Sequence, residues 1–523
     1  MKKLLYITTL TLLLCSCGAT TYRYVTYADF GAIGDGITDD FAAIIATHEY
    51  ANKHNLPVRA NRDAVYLIGY SAYSDRSAII QTSTDWLNAR FIIDDRFIPR
   101  RLRSVWIFQV TSAYEAIDLS DRITILSRNQ ERIDVSLERD ALVFVRDSTN
   151  HLIRKNFGSA TEWSRSPQID LFRIDKNGNV DPKTPIVWDF NTITHITARP
   201  IEEETLSIRG GHFTTIVNPN TEQHNRYFNR GISVRRSNVV MENIGREIID
   251  ENPPNSNGQF FRAPYWAFIE ITEASDVLIQ NSQLTGRRRT RHGSYDFAVT
   301  NATNVTLRNV HQTNCIIDPD YWGAMGGNDV KNITFDNVTL SRFDVHRQVH
   351  NVTILDSELG HQGILVTGSG LLHIENTTVR HNHHLIDFRE DWGSTWRGDI
   401  RIINTVFAPQ TITNARNLFI FSMVNQGTFE HGFRPYMPQN IYINGLHIID
   451  CQGVETANSV ALFRAMSTNT LFPIMFPRQI EMSDVTTESG REVVVPVLDF
   501  TAFSSNKYLT KVRCFLAITK KYR

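Results

Sequence analysis

Along the second half of the chain one alternation of apolar and polar positions keeps returning. It reads Asn or Asp, then apolar-x-apolar-x, then Asn or Asp, two further residues and an apolar one. The runs are Asp276-VLIQNSQL, Asn304-VTLRNVHQ, Asn332-ITFDNVTL, Asn351-VTILDSEL, Leu371-LHIENTTV, Asp399-IRIINTVF and Asn440-IYINGLHI. Period two with many β-branched residues predicts short strands. The residue inside each run (Asn281, Asn309, Asn337, Asp356, Asn376, Asn404, Gly445) predicts a sharp turn, because Asn, Asp and Gly tolerate left-handed backbone angles best. The first apolar positions, 277, 305, 333, 352, 372, 400 and 441, lie 28, 28, 19, 20, 28 and 41 residues apart. A spacing near twenty matches one turn of a parallel β-helix, and the longer spacings add a loop to the same coil. An up-and-down barrel would need hairpin turns of two to five residues, which the pattern lacks. Coils that stack like on like let turn asparagines bond along the axis. That accounts for the Asn-x-Thr triplets at Asn304, Asn332, Asn337, Asn351 and Asn376 without invoking glycosylation.

Ahead of the repeats, Thr38 is placed to cap a helix running to about His54, with Asp39 and Asp40 at its start. The segment Tyr27-ADFGAIGDGITDDFAAIIATHEYAN resembles the Asp-Phe-Gly-Ala-x-Gly-Asp-Gly-x-x-Asp-Asp opening of the pectate-lyase-like superfamily. The resemblance is specific over about twenty-five residues and looser over the repeats from 200 to 450. It implies an all-β right-handed parallel β-helix whose open end is covered by an N-terminal α-helix. Residues 18–99 are then the cap and first coils, and 100–200 additional β structure packed on them. Residues 201–480 are the coils that carry the cleft, and 481–523 a C-terminal cap.

Composition narrows the function. The chain of 523 residues is 41% apolar and 21% charged, with 54 basic against 55 acidic residues and a formal net charge of −1. Disorder, collagen and a polytopic membrane protein do not fit these values, and the balance argues against a nucleic-acid partner. The five cysteines are too few and too scattered for a disulfide framework. Residues 1–17, MKKLLYITTLTLLLCSC, read as a signal peptide. Their end resembles a bacterial lipobox with Cys17 as lipid-attachment residue. The expectation is an exported monomer, in contact with the membrane through a lipid anchor only, at the periplasmic or outer face of the envelope; the bland alternative is a simple signal peptide with two incidental cysteines and a secreted protein. Nicotinamide- or ATP-dependent chemistry is not expected there, and extracellular polymers are the natural substrates.

Candidate chemistry gathers where seven of the seventeen histidines fall, between His346 and His384. Equal offsets in the coils from 333, 352 and 372 set Arg342, His361 and His381 one above another, with Asp344 and His346 beside them. The bland alternative is a wet polar face that tolerates histidine. Gly286-RRRTRHGSYDF contributes Arg288, His292 and Tyr295, as an anion clamp or as a solvated loop. Tyr321 and Trp322 are flat groups for sugar stacking or for packing. Phe388-REDWGSTWRGD adds Arg389 and Glu390.

Arginine and histidine on one face fit an anionic polysaccharide. In β-elimination a uronate carboxylate is neutralised, a base takes the C5 proton and an acid protonates the leaving oxygen. Arg342 or Arg389 would neutralise, His346 or His361 act as base, Tyr295 as acid, and Asp344 orient a partner. Arg288, His292, Tyr321, Trp322 and Glu390 would bind substrate. The chain looks like the superfamily's polysaccharide lyases, with a glycosaminoglycan such as chondroitin sulfate favoured and a pectate-like polymer next. A glycoside hydrolase pairing Asp344 with Glu390 or Asp387 is the alternative, as is a non-catalytic glycan-binding protein. Gly360-His361-Gln362-Gly363 is similar to one polygalacturonase element, but the other three elements of that family are missing. No cofactor is specified. Asp318 and Asp320 are too few to define a calcium site, so calcium stays open.

Overall fold

The computed structural model describes residues 24–71, 74–155, 163–218, 228–249, 265–286, 295–423, 436–464, 475–495 and 514–517. Cys17, Arg288 and His292 lie outside the described residues.

The repeat positions stack in one column. Leu206 pairs in parallel with Val239, and the ladder continues through Val277, Val305, Ile333, Val352, Leu372, Ile400, Ile441 and Ile480 to Cys514. Each partner lies a whole coil further along the chain, so the fold is a parallel β-helix. From Leu206 to Ile480 these side chains are buried in a single elongated core. The turn residues do what the pattern required of them. Asn281, Asn309, Asn337, Asp356, Asn376, Asn404 and Gly445 all have φ between 46° and 75°. Asn309 Nδ2 donates to Asn281 Oδ1 at 2.9 Å, and Asn337 Nδ2 to Asn309 Oδ1 at 2.8 Å. A second ladder climbs from Asp276 through Asn304 and Asn332 to Asn351 at 2.8–2.9 Å. Each amide thus satisfies a polar group of the coil beside it.

The N-terminal helix spans Phe41–His54 and buries Phe41, Ala43, Ile44, Ile45, Thr47, His48 and Ala51. It is tied to the first coil by Asn52, which donates to Ile79 O at 2.7 Å and accepts from Gln81 N at 3.0 Å. Tyr27 OH meets His48 Nε2 at 3.0 Å and accepts from Trp86 Nε1 at 2.9 Å. The cap differs from the expectation. Thr38 belongs to the strand Asp35–Asp39, and Asp40 is the N-cap residue. The Asp39 carboxylate accepts from Phe41 N at 3.0 Å, while that of Asp40 holds Ile33 N and Gly34 N.

Between the strands Phe108–Thr111 and Leu206–Ile216 lies an antiparallel sheet of four strands in the order Trp163–Ile174, Ala141–Lys155, His195–Pro200, Ile117–Asp118. It has its own core of Leu119, Leu126, Val143, Val145, Phe172 and Ile196, among others. It docks on the coils through polar contacts to the turns. Buried Lys331 Nζ lies 2.7 Å from Asp170 Oδ1, Arg173 Nη1 2.7 Å from Asp276 Oδ2, and Asn332 Nδ2 donates to Lys183 O at 2.8 Å. The extra sheet therefore flanks the face on which the candidate residues lie.

Candidate active site

The strand Thr339–Arg347 fixes three of these residues at once. Phe343 and Val345 point into the core, so Arg342, Asp344 and His346 point outward together. Parallel pairing sets this strand in a second column, in which Ala298, Met325, Asp344, Leu365, Asp387 and Ser422 follow one another on successive coils.

Asp344 is the hub. Its Oδ2 lies 2.5 Å from Arg342 Nη2 and 3.1 Å from His346 Nε2, and its Oδ1 accepts from Arg389 Nη1. Burial would raise this carboxyl, but Arg342 and Arg389, with His346 beside them, hold it well below the usual carboxylate range. Burial lowers the pKa of His346, against the pull of Asp344, so its ring is neutral at neutral pH. Arg389 also grips Asp391, Nη2 to Oδ2 at 2.9 Å and Nε to Oδ1 at 3.1 Å. Burial works against the charge of Arg389, yet Asp344 and Asp391 push its pKa up. Asp391 in turn accepts from Arg154 Nε at 2.7 Å. One ionic chain thus runs from the flanking sheet, Arg154–Asp391–Arg389–Asp344, to His346.

Arg342 rests on aromatic rings, 5.0 Å from the centroid of Tyr295 and 4.5 Å from that of Trp322. Its Nη1 donates to Gln362 Oε1 at 2.6 Å. Tyr295 is buried, and burial raises its phenol. The guanidiniums of Arg154 and Arg347 both approach the ring of Trp392, at 5.7 and 5.5 Å from its centroid. Glu390 sits in the short turn Glu390–Trp392 beside this chain.

Asp387 stands two coils along the column from Asp344. Burial raises its carboxyl to about 7; Arg389 opposes this, while Asp391, Asp344 and Glu390 add to it. His384 Nε2 lies 3.5 Å from Asp387 Oδ2. Beyond it opens a cleft of about 660 Å³ lined by His383, His384, Arg416, Phe419, Ser422 and Arg464, among others.

The expected ladder of Arg342, His361 and His381 is not in register. Leu340 pairs with Leu359, but Arg342 pairs with Gly363, with one residue between on the first strand and three on the second. The bulge turns at Gly363, whose φ of 60° suits glycine. It brings Gln362 to Arg342 and sends His361 aside, where Nε2 meets Tyr321 O at 2.7 Å. The structure thus brings together Arg342, Asp344, His346 and Arg389, sets Tyr295 and Trp322 beneath them, and leaves His361 and Tyr321 at the edge. Sequence reasoning missed Gln362, whose signal was only its neighbourhood to His361. It also missed Arg154, which lies 237 residues from Asp391 and carried no local signal. Among the described residues, no group of three or more His, Cys, Asp or Glu side chains is placed to hold a metal ion.

No protein-family model matches the chain. Over 184 residues it is 23% identical to a capsule KL64-specific depolymerase of a Klebsiella phage; the match covers 31% of this chain and 18% of that longer protein. Solved structures with a similar course include the Gp54 tailspike of Acinetobacter baumannii bacteriophage AP22, in complex with capsular saccharide. It is 10% identical with a TM-score of 0.47, over 89% of this chain and 75% of that one. A tailspike protein of E. coli bacteriophage HK620 is 9% identical with a TM-score of 0.46, over 89% and 66%. PfbA, a surface adhesin of Streptococcus pneumoniae, is 11% identical with a TM-score of 0.39, over 90% and 94%.

Proposed function

We propose that the chain is an exported polysaccharide lyase on a right-handed parallel β-helix, anchored through Cys17 and cleaving a uronate-containing polymer by β-elimination. A glycosaminoglycan such as chondroitin sulfate is favoured over a pectate-like polymer. The observation that carries this reading is the outward-facing pair of Asp344 and His346, flanked by Arg342 and Arg389. The stretch shared with a phage capsule depolymerase supports a polymer substrate.

In this reading His346 is the base. Asp344 engages Nε2, which leaves Nδ1 to take the C5 proton, and burial keeps the ring unprotonated. Arg389, held in place by Arg154 through Asp391, supplies positive charge to the uronate carboxylate, which stabilises the carbanion that develops beside it. As the C4–O bond breaks, Asp387 passes its proton to the leaving oxygen, a role that suits a carboxyl raised to about 7. In this reading Asp387 takes the role of acid that the sequence offers to Tyr295, and Tyr295, buried beneath Arg342, positions that guanidinium.

One observation favours a second reading, hydrolysis. Asp344 and Asp387 are split in pKa and stand two coils apart with Leu365 between. Two inter-strand spacings place their backbones roughly 9–10 Å apart, near the carboxyl separation of inverting glycosidases. The test is incubation of the protein with chondroitin sulfates, hyaluronan, heparin, alginate and pectate, each with calcium and with chelator. Ultraviolet absorbance of unsaturated uronate that disappears in His346→Ala supports the lyase. New reducing ends without that absorbance mean hydrolysis, and neither signal on any polymer overturns both.

A further inference from the structure

The cleft beyond Asp387 has a composition that the proposed chemistry does not use. Phe421 pairs with Phe463, so Ser422 and Arg464, the residues that follow them, are neighbours on adjacent coils. Arg416 faces the same space, with His383 and His384 completing a wall that holds no carboxylate among its lining residues. His381 backs the wall, stacked on His384 with ring centroids 3.8 Å apart. Arg416 is braced from behind, because Nη1 donates to Thr411 O at 2.7 Å and to Asn382 O at 3.4 Å. No acidic partner is seen for Arg416 or Arg464 among the described residues.

We infer that this cleft is an anion subsite, in which Arg416 and Arg464, with His383 and His384, hold a sulfate or carboxylate substituent of the polymer lying along the outward column. A braced guanidinium fits such groups with paired donors, and it loses little freedom on binding. Burial is the main cause that lowers the pKa of His383 and His384, and positive charge from Arg416 and Arg464 beside His383, and from the neighbouring histidines and Arg464 beside His384, adds repulsion against a further proton. A bound anion relieves that repulsion. Ser422 continues the column of Asp344 and Asp387, which sets the subsite next to the reacting bond on one side only. The inference rests on the reading of that column as the polymer track, but not on the polymer being cleaved.

The test is equilibrium binding of the full chain to dextran, dextran sulfate and polygalacturonate, compared with Arg416→Gln, Arg464→Gln and the double variant. The wild type is expected to prefer the anionic polymers over dextran, dextran sulfate binding more tightly if sulfate is the better ligand and polygalacturonate if carboxylate is. The double variant is expected to bind them about tenfold or more weakly. Arg464 is exposed, so the single Arg464→Gln protein folds and keeps the test readable, with a loss of at least a few fold. Equal binding of dextran and the anionic polymers, or unchanged affinity in the double variant, overturns the subsite. Because the readout is binding, loss of the subsite is distinguishable from failure of the cleavage reading, which shows as absent turnover with anion binding intact.

Discussion

Asp344 and His346 stand two residues apart on one strand, with Oδ2 of the carboxylate 3.1 Å from Nε2 of the ring. The same carboxylate neutralises the guanidiniums of buried Arg342 and largely covered Arg389, and two substitutions separate this structural task from the chemical one proposed for it. Asp344→Ala strands Arg342 and Arg389, at a cost of about 3–5 kcal/mol, read as a fall in the midpoint of denaturant unfolding. Asp344→Asn keeps the shape but removes the negative charge that orients the ring of His346 and faces the two guanidiniums. It is expected to unfold less readily than the alanine protein and to lose turnover by ~10²–10⁴-fold. Turnover in Asp344→Asn equal to wild type would detach His346 from the chemistry.

Asp387 sets the expected pH behaviour. Its carboxyl, raised to about 7 by burial and its acidic neighbours, lies above the value near ~3.9 of an unfolded chain. The folded state therefore holds this proton more tightly. The stabilisation is complete below about pH 4 and is lost as pH rises through 7. Asp387→Asn is expected to remove that slope from a series of melts between pH 5 and 8. With Asp387 as the proposed proton donor its acid form is the active one, so kcat/KM is expected to fall above about pH 7. The acidic limb, from His346, lies below the ordinary histidine value because burial lowers that ring. A rate that climbs steadily through pH 8 would remove Asp387 as proton donor.

How much of this was legible in the chain depends on distance. Val277, Val305, Ile333, Val352, Leu372, Ile400 and Ile441 announce their column because each coil repeats the same local demand for an apolar residue followed by a left-handed turn. The region of the site was legible for the same reason, since Arg342, Asp344 and His346 alternate on one strand. The register between coils was not. The bulge opposite Ser341 depends on Gly363 and on the loop carrying Ile316 and Tyr321, which hold His361 by its backbone and ring. Arg154 reaches Asp391 only because the flanking sheet docks through Lys331 and Asp276. The raised pKa of Asp387 arises from neighbours on two coils and a loop, which no local pattern displays.

Arg154 holds Asp391 and, through it, Arg389, and the positioning effect proposed for it is separable from stability. It is one-third exposed, and its Nε lies 2.7 Å from Asp391, so removing it costs within about 1 kcal/mol. Asp391 then keeps only its bonds from Arg389, and the guanidinium proposed to meet the substrate carboxylate is expected to shift. Arg154→Ala is expected to lower kcat by about tenfold with little change in melting temperature, while Arg154→Lys, lacking the fork, restores only part of it. A fall confined to KM would mean that Arg154 binds substrate without orienting Arg389.

The asparagine ladders make a prediction about what holds the coils in register. Asn309 has φ of 52°, donates to Asn281 and accepts from Asn337. Asn309→Ala loses both bonds and keeps a side chain in a backbone region that alanine disfavours by about 1–2 kcal/mol. Asn309→Gly loses the same bonds but takes that φ freely. If the ladder and the turn contribute separately, the glycine protein unfolds about 1 kcal/mol later than the alanine protein and still about 1–2 kcal/mol before wild type. Equal midpoints for Asn309→Ala and Asn309→Gly would mean that the bonds alone matter and the turn is unstrained. Wild-type midpoints in both would leave the stacked cores of Leu307 and Val310 as what fixes the register.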